Sequence, residues 1–218
     1  MESTEGSEGA EHGRNISRRK FLKGAGLGTV GLAVGGSVIA TSARTTPAAP
    51  DRNVLGPASA HLALHVNGTT HTLTVEPRET LAEVLRNHLH LTGTKISCDR
   101  GACGACTVLA DNTPICSCST LAHDAAGKNI LTVEGLMDGD RLSALQQSFI
   151  DHDGMQCGFC TPGLIMSCAA LLHHTPHPSM DEVREAVSGN LCRCGSYPKV
   201  FDAVLDAAKS IGTKGALG

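Results

Sequence analysis

Three cysteines lie within nine residues of this chain, in the segment "CDRGACGAC". They have the spacing C-x4-C-x2-C: Cys98, Cys103 and Cys106. With a more distant fourth cysteine, this spacing is typical of a plant-type [2Fe–2S] cluster, in which four thiolates hold two irons and two sulfides. A zinc site is the alternative. Zinc sites usually combine C-x2-C units, so the C-x4-C element favours iron and sulfide.

The residues between these cysteines are small. Gly101, Ala102 and Gly104 let the backbone fold closely over a negatively charged cluster and point its N–H groups at the sulfurs. The fourth ligand is either Cys116 or Cys118 of "PICSCSTLA". Both residues lie on the same face of an extended segment, so alternation alone does not choose between them.

A second group of cysteines comes from the segments "QCGFCTPG" and "GNLCRCGSY". Their spacings are C-x2-C and C-x-C, and they supply four more thiols: Cys157, Cys160, Cys192 and Cys194. C-G-F-C alone is typical of a redox dithiol, but a dithiol leaves the C-x-C pair unexplained. Zinc remains an alternative from spacing alone, and the presence of the first group favours a second iron–sulfur cluster.

Other residues with ligand chemistry have simpler interpretations. Cys168, in "GLIMSCAALL", is predicted to be a small buried core residue. His173, His174 and His177 could form a metal patch. A solvated helix end is favoured instead, because imidazole suits the C-terminal end of the helix dipole.

The composition suggests that apolar burial alone does not stiffen the fold. The 218 residues include ten cysteines, eleven histidines, four phenylalanines, one tyrosine and no tryptophan. A core of Ala, Leu and Val is marginal in a small domain, so we expect metal cofactors to contribute to folding. The net charge is −3, and no basic run occurs after residue 43, so we expect no nucleic-acid partner.

Residues 1–43 are predicted to be a twin-arginine signal peptide. An acidic start precedes "SRRKFLK", and residues 24–40 are weakly apolar, with six glycines and no charge. The alternative is a membrane anchor, but this stretch is short for a span and glycine makes it a poor helix. We therefore expect no stable membrane span, and export in folded form to an oxidising periplasm. Residues 44–60 are rich in Pro and Ala and are predicted to be a linker.

Residues 61–137 are predicted to form a β-grasp domain of the plant-type ferredoxin class. Two strands flank Asn67-Gly68, the strongest short hairpin signal. A helix follows, beginning near Glu79 or Thr80 and placing four apolar residues on one face: Leu81, Val84, Leu85 and Leu89. Two strands are expected around a turn at Asp111-Asn112, and another near 130–134.

Residues 138–211 are predicted to form a small four-helix bundle, which makes the fold class α+β. Four residues of the first helix form one stripe at helical spacing: Leu142, Leu145, Gln146 and Phe149. The second begins at Pro162, the third at Ser179 with a capping box to Glu182, and the fourth at Pro198. The second cysteine group then lies at helix ends, where exposed amides favour a negative cluster.

Six motifs occur in order over residues 61–211: "CDRGACGACTV", "CSTLA", "TVEGL", "QCGFCTPG", "GNLCRCG" and "YPKV". Together they resemble the small iron–sulfur subunit of the molybdenum hydroxylases, such as aldehyde, xanthine and isoquinoline-type dehydrogenases. With its twin-arginine leader, the chain is similar to the periplasmic aldehyde oxidoreductase type. The resemblance implies two [2Fe–2S] clusters, with Cys118 as the fourth ligand of the first. It gives Cys116 no role.

The resemblance also implies an electron relay with no catalytic residue of its own, while substrate chemistry takes place in a partner subunit. Gln156 and Cys194 match residues that contact the molybdopterin of the large subunit. The first cluster is expected to face an onward acceptor, either an FAD-binding subunit or a cytochrome. Two alternatives remain at this point: a free-standing two-cluster ferredoxin, and a binding module that is stabilised by structural zinc and has no redox role.

Overall fold

The computed structural model describes residues 56–211 of the chain. The predicted signal peptide and most of the predicted linker lie outside the described residues. Between residues 56 and 211 no helix is long and apolar enough to cross a membrane.

A five-stranded mixed sheet forms the first half of this region. Its strands are β1 (Ala60–Val66), β2 (Thr69–Val75), β3 (Thr107–Ala110), β4 (Thr113–Cys116) and β5 (Asn129–Leu131). The order across the sheet is β2-β1-β5-β3-β4. Strands β1 and β5 are parallel, and the other neighbours are antiparallel.

Both predicted hairpin turns are confirmed. Asn67 and Gly68 join β1 to β2 with φ angles of 49° and 78°. Asp111 and Asn112 join β3 to β4 with φ angles of 48° and 65°. Consecutive positive φ angles match the twist of a tight hairpin, and Asn, Asp and Gly tolerate them better than other residues do.

The helix after β2 begins where the sequence predicts but changes its winding. Thr80 caps α1 (Leu81–Glu83), and its hydroxyl and the Glu83 side chain form a reciprocal capping box. The chain then widens into a π-helical turn over Val84–His88. The Leu89 N–H donates to the Val84 carbonyl, five residues back. The wider turn still buries the predicted apolar face beneath the sheet.

Strand β5 is shorter than predicted. It ends at Leu131, and Val133–Leu136 form a 3₁₀ turn. The cause is a contact from the first hairpin: the Thr132 N–H donates to Asn67 Oδ1 at 2.9 Å, and Asn67 Nδ2 donates to the Thr132 hydroxyl at 3.0 Å. The asparagine side chain takes the hydrogen bonds that a longer strand would have used.

Four helices follow the sheet: α2 (Ala144–Asp151), α3 (Thr161–His174), α4 (Met180–Ala186) and α5 (Tyr197–Ile211). The predicted capping box between Ser179 and Glu182 is confirmed at the start of α4. Ser143 caps α2 in the same way. The prediction that Leu142 belongs to the buried stripe of α2 is wrong. Leu142 precedes the cap and is exposed, because the helix begins only after Ser143.

Sheet and helices share a core. Helix α2 packs against α5, and α3 packs against strand β3. Leu109 of β3 belongs to the same buried cluster as Phe149, Leu164 and Val204. This mixed α and β architecture confirms the predicted class and brings the loop between α1 and β3 against the start of α3.

Candidate iron–sulfur sites

The first cysteine loop points backbone amides at its own sulfurs, as the small residues predict. Gly101 has a φ angle of 68°, a conformation that glycine adopts without strain. The Gly101 N–H donates to Cys118 Sγ at 3.3 Å, and the Ala102 N–H donates to Cys98 Sγ at 3.3 Å. Hydrogen bonds of this kind stabilise thiolates and tune a cluster bound to them.

In the first quartet Cys98 neighbours Cys103, and Cys106 neighbours Cys118 and also Cys116. The backbone amides of Arg100 and Ala102, and then the neighbouring thiol of Cys103, lower the pKa of Cys98 to about 6. Cys106 and Cys118 are both buried. Burial raises the pKa of Cys118 to about 11 against the opposing effect of the Gly101 N–H.

A paired arrangement is what a binuclear cluster needs. In a [2Fe–2S] cluster each iron takes two cysteines, so one pair serves each metal. A structural zinc ion instead draws four ligands around one centre. The four-cysteine donor set and the backbone N–H groups directed at Cys98 Sγ and Cys118 Sγ therefore fit a [2Fe–2S] cluster.

Cys116 is a fifth thiol beside the first quartet, and its contact with the backbone of Gly101 distinguishes it from Cys118. The N–H of Gly101 donates to Cys118 Sγ, whereas the carbonyl of Gly101 accepts from Cys116 Sγ at 3.6 Å. Burial, and then the nearby Cys118 thiol, raise the pKa of Cys116. Cys118 Sγ thus accepts a backbone N–H, as the sulfur of a cluster ligand does, whereas Cys116 Sγ donates to a carbonyl.

The second four thiols also form two pairs. Cys157 and Cys194 are exposed neighbours, and the Phe159 N–H followed by the Cys194 thiol lowers the pKa of Cys157. Cys160 and Cys192 are the inner pair. Burial, and then the Cys192 thiol, raise the pKa of Cys160 to about 12.

Cys192 differs from its partner because polar neighbours outweigh its burial. The hydroxyl and backbone amide of Ser196 contribute most to lowering the pKa of Cys192, which falls to about 7. Ser196 Oγ lies 3.3 Å from Cys192 Sγ. Next to Cys160, at the start of α3, the Thr161 hydroxyl is buried and has no partner within residues 56–211. The second quartet therefore combines neighbouring thiols with polar donors beside Cys160 and Cys192, which also fits a [2Fe–2S] cluster.

Tyr197 fixes the segment that carries Cys192. The Cys192 N–H donates to the Tyr197 hydroxyl at 2.8 Å, and that hydroxyl donates to the Asn190 carbonyl at 2.8 Å. The sequence motifs revealed neither role: Asn190 entered only as part of "GNLCRCG" and Tyr197 only as part of "YPKV". The one available signal was that Tyr197 is the only tyrosine in the chain.

Cysteines from both quartets line a single cavity of about 410 Å³. Its lining includes one thiol of the first quartet and three of the second: Cys103, Cys157, Cys160 and Cys192. Phe159 and Leu191 lie at the same cavity. Cysteines that are separated by about half of the described chain therefore lie at the same cavity.

The remaining candidate residues lie as follows. Gln156 is exposed and directly precedes Cys157. Cys168 is fully buried inside α3, and burial raises its pKa to about 12, which confirms the predicted core role. His173 and His174 are exposed at the end of α3, where His173 Nε2 lies 3.3 Å from Asn112 Nδ2.

Two family matches divide the chain between the two quartets. Residues 64–131 match the family described as 2Fe-2S iron-sulfur cluster binding domain, and they contain the first quartet. Residues 132–205 match the family described as [2Fe-2S] binding domain, and they contain the second.

Whole-chain relatives agree with these matches. The chain is 49% identical over 170 residues to the nicotine 6-hydroxylase small subunit of Paenarthrobacter nicotinovorans, covering 78% of this chain and 98% of that protein. It is 41% identical over 219 aligned positions to the aldehyde oxidoreductase iron-sulfur-binding subunit of Escherichia coli K12, covering 92% and 91%. A chain of quinoline 2-oxidoreductase from Pseudomonas putida 86 superposes with a TM-score of 0.70 at 47% identity, covering 72% and 98%. This chain therefore belongs to the [2Fe–2S] small subunits of the molybdenum hydroxylase family, and it is the iron–sulfur subunit of an oxidoreductase.

Proposed function

We propose that the chain relays electrons from a molybdopterin-binding large subunit, where substrate is oxidised, to a separate acceptor. The observation that carries the proposal is that the fold brings Cys103 of the first quartet to the same cavity as three cysteines of the second, while backbone N–H groups donate to Cys98 Sγ and Cys118 Sγ. A [2Fe–2S] cluster supplies one-electron transfer when bound. We assign eight ligands: Cys98, Cys103, Cys106, Cys118, Cys157, Cys160, Cys192 and Cys194.

The second quartet is the end that we assign to the large subunit. Cys157 and Cys194 are exposed. Beside them Phe159 and Leu191 are exposed by 46% and 60%, which is high for large apolar side chains. Clustered exposed apolar groups are typical of a surface that a partner covers. Gln156 and Cys194 are the residues that we expect to contact the pterin. This surface favours a subunit over a free-standing ferredoxin.

The first quartet is the end that we assign to the onward acceptor. Arg100, Ser119 and Leu121 surround it and are exposed, so an FAD-binding subunit or a cytochrome could approach its sulfurs. The relatives named for aldehyde, nicotine and quinoline suggest that the complete enzyme oxidises an aldehyde or a nitrogen heterocycle. We further propose that 61–137 and 138–211 act as separate cluster-binding domains, with α2–α5 as a four-helix bundle around the second cluster.

Export through the twin-arginine pathway is part of the proposal, and it rests on the "SRRKFLK" segment. Replacement of both Arg18 and Arg19 by Lys should retain the protein in the cytoplasm, while the wild type appears in the periplasmic fraction. Equal periplasmic recovery of the two forms would count against export by this route.

The test of the relay is metal analysis and electron paramagnetic resonance (EPR) on the native complex with its co-purifying chains. We expect about four irons per chain and two distinct signals after reduction. Cys192→Ser should remove one signal and Cys98→Ser the other. Cys168→Ser is the matched control, because Cys168 is buried outside both quartets, and it should keep both signals. Zinc in place of iron, or about two irons, would refute the proposal. A single chain on gel filtration would favour a free-standing ferredoxin.

A further inference from the structure

Asn190 is a buried polar residue between the two cysteine loops. Only 4% of it is exposed. It lies two residues before Cys192 and contacts Gly104, the residue that follows Cys103. A buried amide side chain is costly unless its donors and acceptor are satisfied, so its partners indicate what it does.

The Asn190 side chain uses both of its ends. Its Nδ2 donates to the Gly104 carbonyl at 2.9 Å and lies 3.5 Å from the Thr107 hydroxyl. Its Oδ1 accepts from the Ser167 hydroxyl of α3 at 2.8 Å. Its own carbonyl accepts from the Tyr197 hydroxyl. One residue therefore joins the first cysteine loop to α3 and α5.

The backbones at this junction are in direct contact. A Cβ added at Gly104 would lie 2.5 Å from Asn190 Nδ2 and 2.7 Å from the Gly189 carbonyl oxygen. A Cβ added at Gly163, at the start of α3, would lie 2.1 Å from the Gly104 carbonyl oxygen. No side chain separates these segments, so small shifts in one are transmitted to the others.

The residue after Asn190 completes the connection between the quartets. The Leu191 N–H donates to the Cys103 carbonyl at 2.9 Å, and Leu191 directly precedes Cys192. Cys103 of the first quartet and Cys192 of the second are thus connected through this one hydrogen bond and a few covalent bonds. The Asn190 side chain fixes the register of this hydrogen bond, because it holds the adjacent carbonyl of Gly104.

We propose that Asn190 is a positioning residue that sets the coupling between the two clusters. The inference rests on the proposed function, since it needs both clusters to be present. Asn190 touches none of the thiols in the contacts above, so its effect must pass through Gly104, Leu191 and Cys103. An amide suits this place better than a carboxylate, because only the amide donates to a carbonyl while accepting from a hydroxyl.

The experiment compares three variants in the purified complex: Asn190→Asp, Asn190→Ala and Ser167→Ala. Asp is close to Asn in shape but loses the donor to Gly104. The readout is the magnetic interaction splitting between the two clusters, in low-temperature EPR of the dithionite-reduced protein, beside iron content. We expect both Asn190 variants to change the splitting from its wild-type value and to keep two cluster signals and about four irons. Ser167→Ala should keep the splitting, because Nδ2 still holds Gly104.

The possible outcomes separate this inference from the relay itself. Wild-type splitting in Asn190→Asp would overturn the role of Asn190 and leave the relay intact. Loss of a whole cluster signal in Asn190→Asp would also overturn it, because Asn190 would then be needed for ligand binding rather than for coupling. If the wild-type complex shows two cluster signals but no splitting, the proposed coupling is refuted. If the wild-type complex does not show two cluster signals, the relay is refuted as well.

Discussion

Gly163→Ala tests the contact between helix α3 and the first cysteine loop. The added methyl group would lie 2.1 Å from the Gly104 carbonyl oxygen and 3.1 Å from the Ala105 Cα. Both neighbours are backbone atoms, which cannot rotate away as the end of a side chain can. Real Cβ atoms essentially never approach within 3.0 Å, so α3 and the loop must separate by about 0.9 Å.

The cost follows from overpacking. Forcing an extra methyl group into a closely packed contact costs roughly 1–3 kcal/mol. Alanine is favoured over glycine in a helix by up to about 1 kcal/mol, which offsets part of that cost. We therefore expect a net loss of about 1–2 kcal/mol. For a unit of this size, that corresponds to a decrease in the unfolding midpoint of roughly 2–8 °C.

The assay is thermal bleaching of the visible cluster absorbance at one fixed scan rate, since loss of a cofactor makes unfolding irreversible. Gly189→Ala is the matched control. It adds the same methyl group at an exposed glycine with nothing within 4 Å of the new atom, so its midpoint should stay near that of the wild type. If Gly163→Ala melts no lower than Gly189→Ala, the close contact between α3 and the loop does not exist.

Three further predictions concern single side chains. Cys118→Ser should abolish the EPR signal of the first cluster, whereas Cys116→Ser should retain it with unchanged iron content, because Cys116 donates to a carbonyl instead of accepting an N–H. Tyr197→Phe leaves the Cys192 N–H without its acceptor; it should cost about 2 kcal/mol and make the second cluster bleach before the first on heating. Burial tends to raise the pKa of Glu79, but the hydrogen bond from His88 outweighs it, and the pKa lies below 4.5. The stabilisation that ionised Glu79 contributes is therefore present above that pH, and it is lost as pH falls through the lowered pKa. Glu79→Gln should therefore reduce the loss of stability in acid by at most about 1 kcal/mol, measured from unfolding midpoints across the acid range.

The parts of the fold that could be predicted are those that depend on near neighbours in the chain. The Asn67-Gly68 hairpin and the box between Ser179 and Glu182 are specified within a few residues. The end of β5 is different. It is set by Asn67, whose side chain is 65 residues away from Thr132, and no local pattern reveals that partner.

The same distinction applies to the candidate site. Cysteine spacing alone placed two groups of thiols, but it left Cys116 and Cys118 equivalent. The backbone of Gly101 distinguishes them, because its N–H donates to Cys118 Sγ and its carbonyl accepts from Cys116 Sγ, at a positive φ angle. The hydrogen bond from Asn190 to Gly104 spans 86 residues, so only the folded chain brings the two quartets together.

The position of Gly104 also implies an order of assembly. Its carbonyl already accepts the N–H and the hydroxyl of Thr107 within its own loop, before Asn190 reaches it. Synthesis delivers the sheet and this loop ahead of helices α2–α5, and segments made first begin to fold first. The sheet and the first cysteine loop thus fold first and form the template surface, and helices α2–α5 then pack against it. A circularly permuted chain that begins with α2 would lack this template, and we expect it to mature more slowly.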